Sequence, residues 1–239
     1  MISDFFRHLE VRRTRSAFSL VSMPQQFVLA LLLLWCGVVV AFNFEQLQQQ
    51  LSARFSAARL PVFKEWQQTL VAAKNLKEPD KLKRINDYFN KNVTFDDDQS
   101  IWEQSDYWAT LVETIGQGRG DCEDFAIAKY YSLKEVGVPL AKLRLVYVKA
   151  KLEGTSGPIL QAHMVLAYYP APNADPLVLD NLVPDIRPAS QRTDLHPVFS
   201  FNSEAIWTGV AENSAKKAGT GQLSRWQDLL QRARNEGFE

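Results

Sequence analysis

The chain has 239 residues, of which 46% are hydrophobic and 23% are charged. This is the composition of a globular protein, and it excludes a largely disordered chain and a fibrous repeat. Lysine and arginine together number 27, as do aspartate and glutamate, so the formal net charge is zero and no basic field for a nucleic acid is present.

The N-terminal segment combines basic residues with an apolar run. Arginines at positions 7, 12, 13 and 15 precede the mostly apolar residues 27–42. This order is typical of a secretory signal peptide, but the run also approaches the ~20 residues that span a bilayer. We therefore predict a signal peptide or an N-terminal membrane anchor over residues 1–42, and one exported domain over residues 43–239.

The first part of the predicted domain has helical periodicity. Apolar residues recur every three or four positions over residues 44–73, and Pro61 interrupts the pattern. We expect two helices there and a third that follows Pro79 and ends near Asn92. Residues 96–106 are polar and acidic, which predicts a loop.

A glycine turn then leads into the most regular helical pattern of the chain. The sequence Gly-Arg-Gly-Asp-Cys-Glu-Asp-Phe-Ala occupies residues 118–126, and the helical pattern runs from Cys122 to Val136. A cysteine in the first turn of a helix faces unpaired backbone N–H groups, which favour its nucleophilic thiolate form. The other cysteine, Cys36, lies in the apolar leader run, so no disulfide is expected.

After this helix the pattern changes to strands. Residues 142–149, 161–169 and 177–180 are apolar or alternate in polarity, with short turns between them. Consecutive strands with short connections predict an antiparallel sheet, and residues 222–236 predict a final helix. The fold class is therefore α+β, with a helical N-terminal part packed on an antiparallel sheet.

A cysteine nucleophile needs a base, and the base needs a partner that orients it. Of the three histidines, His8 lies in the leader, His196 in an irregular stretch, and His163 in a predicted strand. His163 is therefore the candidate base, and Asp180, at the end of the next strand, is the candidate orienting carboxylate. Ordinary structural roles stay open as the alternative: a buried cysteine, a core histidine and a turn aspartate.

Three carboxylates crowd the cysteine in the sequence, those of Asp121, Glu123 and Asp124. At an effective dielectric constant near 20, one carboxylate about 4 Å from a thiolate costs about 4 kcal/mol. A bound divalent cation would offset this field, and calcium prefers carboxylate ligands. The alternative is that these side chains complement the helix dipole.

Four segments within residues 96–184 carry a resemblance to a known family. They are Trp-Glu-Gln-Ser-Asp-Tyr-Trp-Ala-Thr at 102–110, the segment at 118–126, Gln-Ala-His-Met-Val-Leu at 161–166 and Val-Leu-Asp-Asn at 178–181. Together they resemble the transglutaminase-like cysteine proteinase superfamily, in particular its bacterial periplasmic branch. The resemblance implies a transglutaminase-like, papain-like fold and a triad of Cys122 as nucleophile, His163 as general base and acid, and Asp180 as orienting carboxylate.

The same resemblance implies a calcium-dependent endopeptidase of the periplasm, with Asp121, Glu123 and Asp124 as calcium ligands. Its implied substrate is the N-terminal region of a large surface adhesin, whose release promotes biofilm dispersal. The implied regulator is the periplasmic domain of an inner-membrane cyclic-di-GMP receptor that sequesters the protease. Two other functions stay open: acyl transfer to an amine, as in crosslinking transglutaminases, and binding without catalysis.

Overall fold

Residues 43–155, 157–208, 215–216 and 223–238 are described by a computed structural model. The leader at residues 1–42 lies outside them, so its role as signal peptide or anchor stays a prediction. In the described part of the chain, no helix is both long enough and apolar enough to cross a membrane.

The helices and strands alternate in blocks along the chain. The helices are Phe44–Arg54 (α1), Leu60–Ala73 (α2), Glu78–Asn92 (α3), Asp98–Trp102 (α4), Leu111–Gln117 (α5), Cys122–Glu135 (α6) and Ser224–Glu236 (α7), with 3₁₀ turns at Ala57–Arg59, Leu140–Lys142 and Ala189–Gln191. The strands are Thr94–Phe95 (β1), Arg119–Gly120 (β2), Leu143–Gly154 (β3), Gly157–Tyr168 (β4), Leu177–Leu179 (β5), Arg187–Pro188 (β6), Leu195–Phe201 (β7), Ile206–Thr208 (β8) and Ala215–Lys216 (β9).

The opening helices follow the sequence pattern. Pro61 and Pro79 lie in the first turns of α2 and α3, where a missing N–H and a fixed φ are compatible with the start of a helix. The side-chain oxygen of Asn43 caps α1 by accepting a hydrogen bond from the N–H of Gln46 at 3.0 Å. The expectation of two helices separated at Pro61 and a third ending at Asn92 is confirmed.

The expectation of a loop over residues 96–106 is wrong in part. Helix α4 begins there because the Asp97 carboxylate accepts a hydrogen bond from the N–H of Ser100 at 2.9 Å. Helix α5, which the periodicity did not predict, begins with a capping box between Thr110 and Glu113. Both helices are short, so caps rather than an apolar stripe determine where they start.

The main sheet of the described residues has the strand order β6-β5-β4-β3-β7-β8-β9, and every neighbouring pair is antiparallel. Strands β3 and β4 form a hairpin that is paired from Leu143↔Tyr168 to Gly154↔Gly157, longer than predicted. Strand β7 was not predicted, and it corrects the assignment of His196 to an irregular stretch. Strands β1 and β2 form a separate parallel pair.

Helix α6 lies between the other helices and the sheet. It contacts α3 and α5 on one side and β3 and β4 on the other, and its residues from Asp124 to Leu133 are all buried. The predicted α+β fold, with helices packed on an antiparallel sheet, is confirmed. The arrangement brings the start of α6 close to the part of the sheet where β5 ends.

Candidate active site

A capping box fixes the first turn of α6. The Asp121 carboxylate accepts hydrogen bonds from the N–H groups of Glu123 and Asp124 at 3.2 and 3.4 Å. The Asp124 carboxylate accepts from the N–H of Asp121 at 3.4 Å and from the N–H of Ala109 at 2.8 Å. Gly118, just before this turn, has φ of 68°, a left-handed conformation that favours glycine. Asp121 and Asp124 therefore have the helix-end role that the sequence left open for them.

Cys122 lies in this first turn and is partly buried. Its thiol donates a hydrogen bond to the Glu123 carboxylate at 2.7 Å, and the backbone N–H of Met164 works to lower the pKa of the thiol. Within the described residues, no hydrogen bond joins the sulfur to His163. Burial raises the pKa of the Cys122 thiol, and the charges of Glu123 and Asp121 raise it further. Both effects favour the neutral thiol over the thiolate.

His163 and Asp180 are in direct contact. Because Leu166 of β4 pairs with Leu179 of β5, the next residue of the chain, Asp180, lies within reach of His163. The distance from His163 Nε2 to Asp180 Oδ1 is 2.8 Å, and both side chains are buried. An ionised carboxylate only accepts hydrogen bonds, so Nε2 carries the hydrogen and Nδ1 is the nitrogen left to act as a base.

Asp180 is held in its ionised form. Burial by itself would raise the pKa of Asp180. The pKa is nevertheless lowered to about 2, because Asp180 accepts hydrogen bonds from His163, from the N–H of Leu182 and from Arg192, and because the charge of His163 acts in the same direction. The Arg192 guanidinium donates to Asp180 Oδ2 at 2.8 Å and is itself anchored by Asp194 at 2.7 and 3.0 Å. Sequence reasoning missed Arg192, since no local pattern links it to Asp180.

The backbone of Asp180 is held as firmly as its side chain. Its carbonyl oxygen accepts hydrogen bonds from Asn90 Nδ2 at 2.8 Å and from Lys129 Nζ at 3.1 Å. Lys129 lies on α6, and its burial lowers the pKa of the ammonium group to about 7 despite the nearby charges of Asp180 and Asp87. Helices α3 and α6 therefore both position the residue that contacts His163.

The carboxylates around Cys122 form a larger cluster than the sequence indicated. Carboxylate oxygens of Asp98, Asp121 and Asp124 lie within 4.8 Å of one another, and Asp121 and Glu123 form an equally close group with the Cys122 sulfur. Asp98 is buried, and its Oδ1 has no hydrogen-bond partner among the described residues.

Burial raises the pKa of Asp121 to about 10, and the charges of Glu123, Asp124 and Asp98 add to the effect. Burial likewise raises the pKa of Asp98 to about 6, assisted by Glu123. Hard oxygen donors that are crowded, partly unpaired and costly to ionise suit calcium, which takes six to eight oxygen ligands. Asp121, Glu123 and Asp124, together with Asp98, therefore fit a calcium ion. From the sequence, Asp98 was one of three acidic residues, 96–98, from which a further calcium ligand could come.

A cleft of about 390 Å³ adjoins this cluster. Carboxylates of Asp98, Asp106, Asp121 and Glu123 line it together with the rings of Trp108, Tyr147 and Phe199. The Tyr147 and Phe199 rings stack with centroids 5.3 Å apart, which makes a flat apolar wall. The cleft thus combines carboxylates and the guanidinium of Arg225 with aromatic rings.

An α+β fold that places a cysteine at a helix N-terminus, beside a histidine–aspartate pair on neighbouring strands, has the architecture of transglutaminase-like cysteine proteinases. The comparison of sequences agrees with this class. The chain belongs to the bacterial transglutaminase-like cysteine proteinase family, whose sequence profile matches residues 63–214.

Three solved structures of LapG from Legionella pneumophila are similar to this chain. The EGTA-treated form has 35% sequence identity and a TM-score of 0.68, and the match covers 79% of this chain and 96% of that one. A second LapG structure has 36% identity and a TM-score of 0.66 with the same coverage. The calcium-bound form has 35% identity and a TM-score of 0.65, with coverage of 79% and 98%. No curated protein sequence matches the chain significantly.

Proposed function

We propose that this protein is a calcium-dependent cysteine endopeptidase in which Cys122 is the nucleophile, His163 the general base and acid, and Asp180 the orienting carboxylate. The observation that carries the proposal is the buried contact between His163 Nε2 and Asp180 Oδ1 at 2.8 Å. It leaves Nδ1 of His163 as the basic nitrogen, and the next residue of the strand, Met164, has a backbone N–H that works to lower the pKa of the Cys122 thiol. Membership of a cysteine proteinase family supports the same assignment.

The reaction divides into acylation and hydrolysis. His163 Nδ1 takes the proton of the Cys122 thiol, and the sulfur attacks the carbonyl carbon of the scissile peptide bond. The imidazolium then donates its proton to the leaving amine, which yields a thioester. Water, deprotonated by His163, attacks the thioester; the C–S bond then breaks, the acid leaves, and the imidazolium returns its proton to the Cys122 sulfur. The backbone N–H of Cys122, which has no hydrogen-bond partner among the described residues, is placed to stabilise the oxyanion of both tetrahedral intermediates.

For the first proton transfer, the thiol must exchange its contact with Glu123 for one with His163. Asp180 stays ionised and in place throughout, because Arg192 and the N–H of Leu182 occupy its remaining acceptor positions. The carboxylate therefore stabilises the imidazolium without accepting its proton.

The calcium part of the proposal rests on the carboxylate cluster. Asp121, Glu123, Asp124 and Asp98 would hold the ion, which would supply positive charge next to the thiol and offset the field of the carboxylates. The solved LapG structures include a calcium-bound and an EGTA-treated form, which supports calcium as the ion for this chain as well.

The family resemblance supports a biological setting that goes beyond the chemistry. In this proposal the enzyme acts in the periplasm, free or tethered to the inner membrane. It cleaves the N-terminal region of a large surface adhesin and so promotes biofilm dispersal. The periplasmic domain of an inner-membrane cyclic-di-GMP receptor binds the enzyme and keeps it from the adhesin.

Incubation of the purified protein with an N-terminal adhesin fragment tests the mechanism. We expect calcium-dependent cleavage that Cys122→Ala abolishes and that His163→Gln lowers by about 10²–10⁴-fold. His196→Gln is the matched control, because His196 is exposed on β7 and should leave the rate unchanged.

Other outcomes identify the competing functions. Cleavage by Cys122→Ala at the parent rate would remove the cysteine mechanism. A covalent conjugate with an added amine, in place of hydrolysis, would indicate a transglutaminase, and binding without either product would indicate a non-catalytic domain. Activity and thermal stability that are both indifferent to EGTA would remove calcium while leaving the triad.

A further inference from the structure

Strand β4 is paired along only part of one edge. On one side it pairs with β3 over its whole length, from Gly157 to Tyr168. On the other side it pairs with β5 over residues 166–168 only. In the described part of the chain, residues 157–165 of β4 therefore form a free strand edge. This edge begins where β5 ends and passes His163.

The alternation of an antiparallel sheet identifies which backbone groups this edge offers. The N–H of Tyr169, the residue after β4, bonds the carbonyl of Lys142, the residue before β3, at 2.8 Å, so the backbone groups of Tyr169 face β3. In antiparallel pairing the direction alternates, so the N–H and C=O groups of Met164, Ala162 and Leu160 point away from β3. None of the four groups of Ala162 and Leu160 has a hydrogen-bond partner among the described residues. Ala162 is exposed, and the exposed fraction of Leu160 is 62%.

We propose that the substrate binds as an extended peptide added to this edge of β4, paired through the backbone of Leu160 and Ala162. An unpaired strand edge is a template for another strand, and peptides bind to such edges through main-chain hydrogen bonds. The edge has a definite end, because β5 pairs with β4 from Leu166 onward, and the Met164 N–H just before that point acts on the Cys122 sulfur. A peptide lying along it would bring a backbone carbonyl to the sulfur.

The cleft beside the edge indicates how the side chains of that peptide are selected. Ala162 lines the cleft together with Tyr147 and Phe199. Since alternate side chains of a strand point to opposite faces, every second side chain of the bound peptide would face this cleft. The substrate class is thus an unfolded or extended polypeptide segment.

This inference rests on the proposed function for the position of the scissile bond, but it has a test of its own. Proline has no N–H, and it is tolerated at a strand edge where that N–H faces outward. Leu160→Pro removes one outward donor at a distance from His163, and Leu160→Ala is the matched control that retains it. Ala162→Pro removes the second donor. Thermal unfolding checks that each variant folds.

With a peptide that spans the cleaved adhesin bond, we expect the KM of Leu160→Pro to exceed that of Leu160→Ala between about twofold and tenfold, with little difference in kcat. Both variants lack the leucine side chain, so this comparison isolates the N–H. N-methylation of successive amides in the peptide should weaken cleavage at every second position only. Equal KM values for Leu160→Pro and Leu160→Ala, or an N-methyl series without alternation, would overturn the proposal.

Binding to the inactive Cys122→Ala protein separates this inference from the proposed function. Amide hydrogen exchange at Leu160 and Ala162 should slow when the same peptide is added, whether or not the parent cleaves it. Unchanged exchange at a saturating peptide concentration overturns strand addition. A parent that binds the peptide with this protection and does not cleave it would overturn the endopeptidase and leave the binding edge in place.

Discussion

Replacement of Arg192 by methionine should destabilise the fold much more than the loss of an ordinary surface ion pair. The Arg192 side chain is only 3% exposed, and its guanidinium contacts Asp180 Oδ2 at 2.8 Å. Methionine has a similar volume and no charge, so the substitution leaves the buried Asp180 carboxylate without one of its partners. Exposed ion pairs contribute about 0–1 kcal/mol, whereas breaking a buried pair typically costs about 3–5 kcal/mol.

The pKa of Asp180 gives an independent magnitude. It is lowered from the ordinary value of 3.8 to about 2, which corresponds to roughly 2 kcal/mol of stability at neutral pH. Because the folded-state pKa is the lower one, this stability is present above about pH 4 and is lost as the pH falls towards 2. Arg192 is one of several groups that hold the pKa down, so the folded-state pKa should lie closer to 4 in the variant, and the variant should lose less stability than the parent as the pH falls from 4 towards 2.

Urea unfolding at pH 7, repeated at intervals down to pH 3, measures both effects. We expect Arg192→Met to lose about 3 kcal/mol at pH 7, and the Arg192→Met/Asp180→Asn double variant to lose less than the sum of the single losses. Arg187→Met is the control, since the Arg187–Asp185 pair is exposed and should matter by about 0.5 kcal/mol or less. A loss below about 1 kcal/mol for Arg192→Met, with additive double-variant losses, would refute the reasoning.

Three further substitutions test other parts of the structure. Lys129→Met should stabilise the protein at pH 6, because burial lowers the pKa of the Lys129 ammonium group to about 7. Between pH 7 and 10.5 the folded parent binds fewer protons than the unfolded parent, so the free energy of unfolding of the parent rises by up to roughly 5 kcal/mol across that window. If urea unfolding gives the same difference between variant and parent at every pH from 6 to 10, this reasoning is contradicted. Gly118→Ala should cost about 1–2 kcal/mol in urea unfolding, since φ is 68° and the new Cβ would lie 2.4 Å from the Arg59 guanidinium carbon; unchanged stability would exclude strain at this turn. Asp98→Asn should raise the melting temperature in EGTA, because it relieves repulsion between carboxylates. It should also reduce the further rise in melting temperature when calcium is added. A calcium-induced rise as large as that of the parent would exclude Asp98 as a ligand.

The periodicity of apolar residues and the positions of prolines were sufficient to predict most of the helices and strands. The stripes over residues 44–92 and 122–136 predicted their helices, because a buried helix face repeats every three to four residues. The same reasoning missed α4, α5 and β7. The first two are short helices whose starts depend on caps at Asp97 and Thr110, and β7 is a strand whose pairing with β3 is a long-range contact.

The sequence by itself determined the candidate chemistry. Only three histidines and two cysteines are present, so Cys122 and His163 were the natural pair, and the carboxylates adjacent to Cys122 in the chain indicated a cation. Residue types and spacing report burial and local caps, and this is enough to identify the side chains that could react.

Only the tertiary structure decided how those side chains are used. In the folded protein Arg192 contacts Asp180, and Asp98 lies close to Asp121. The Cys122 thiol donates its hydrogen bond to a carboxylate and not to His163. One edge of β4 is unpaired beside the sulfur. The physical reason is that a hydrogen bond or a shared ion requires atoms to meet within about 3 Å. That proximity depends on how distant segments pack, which no local pattern in the sequence records.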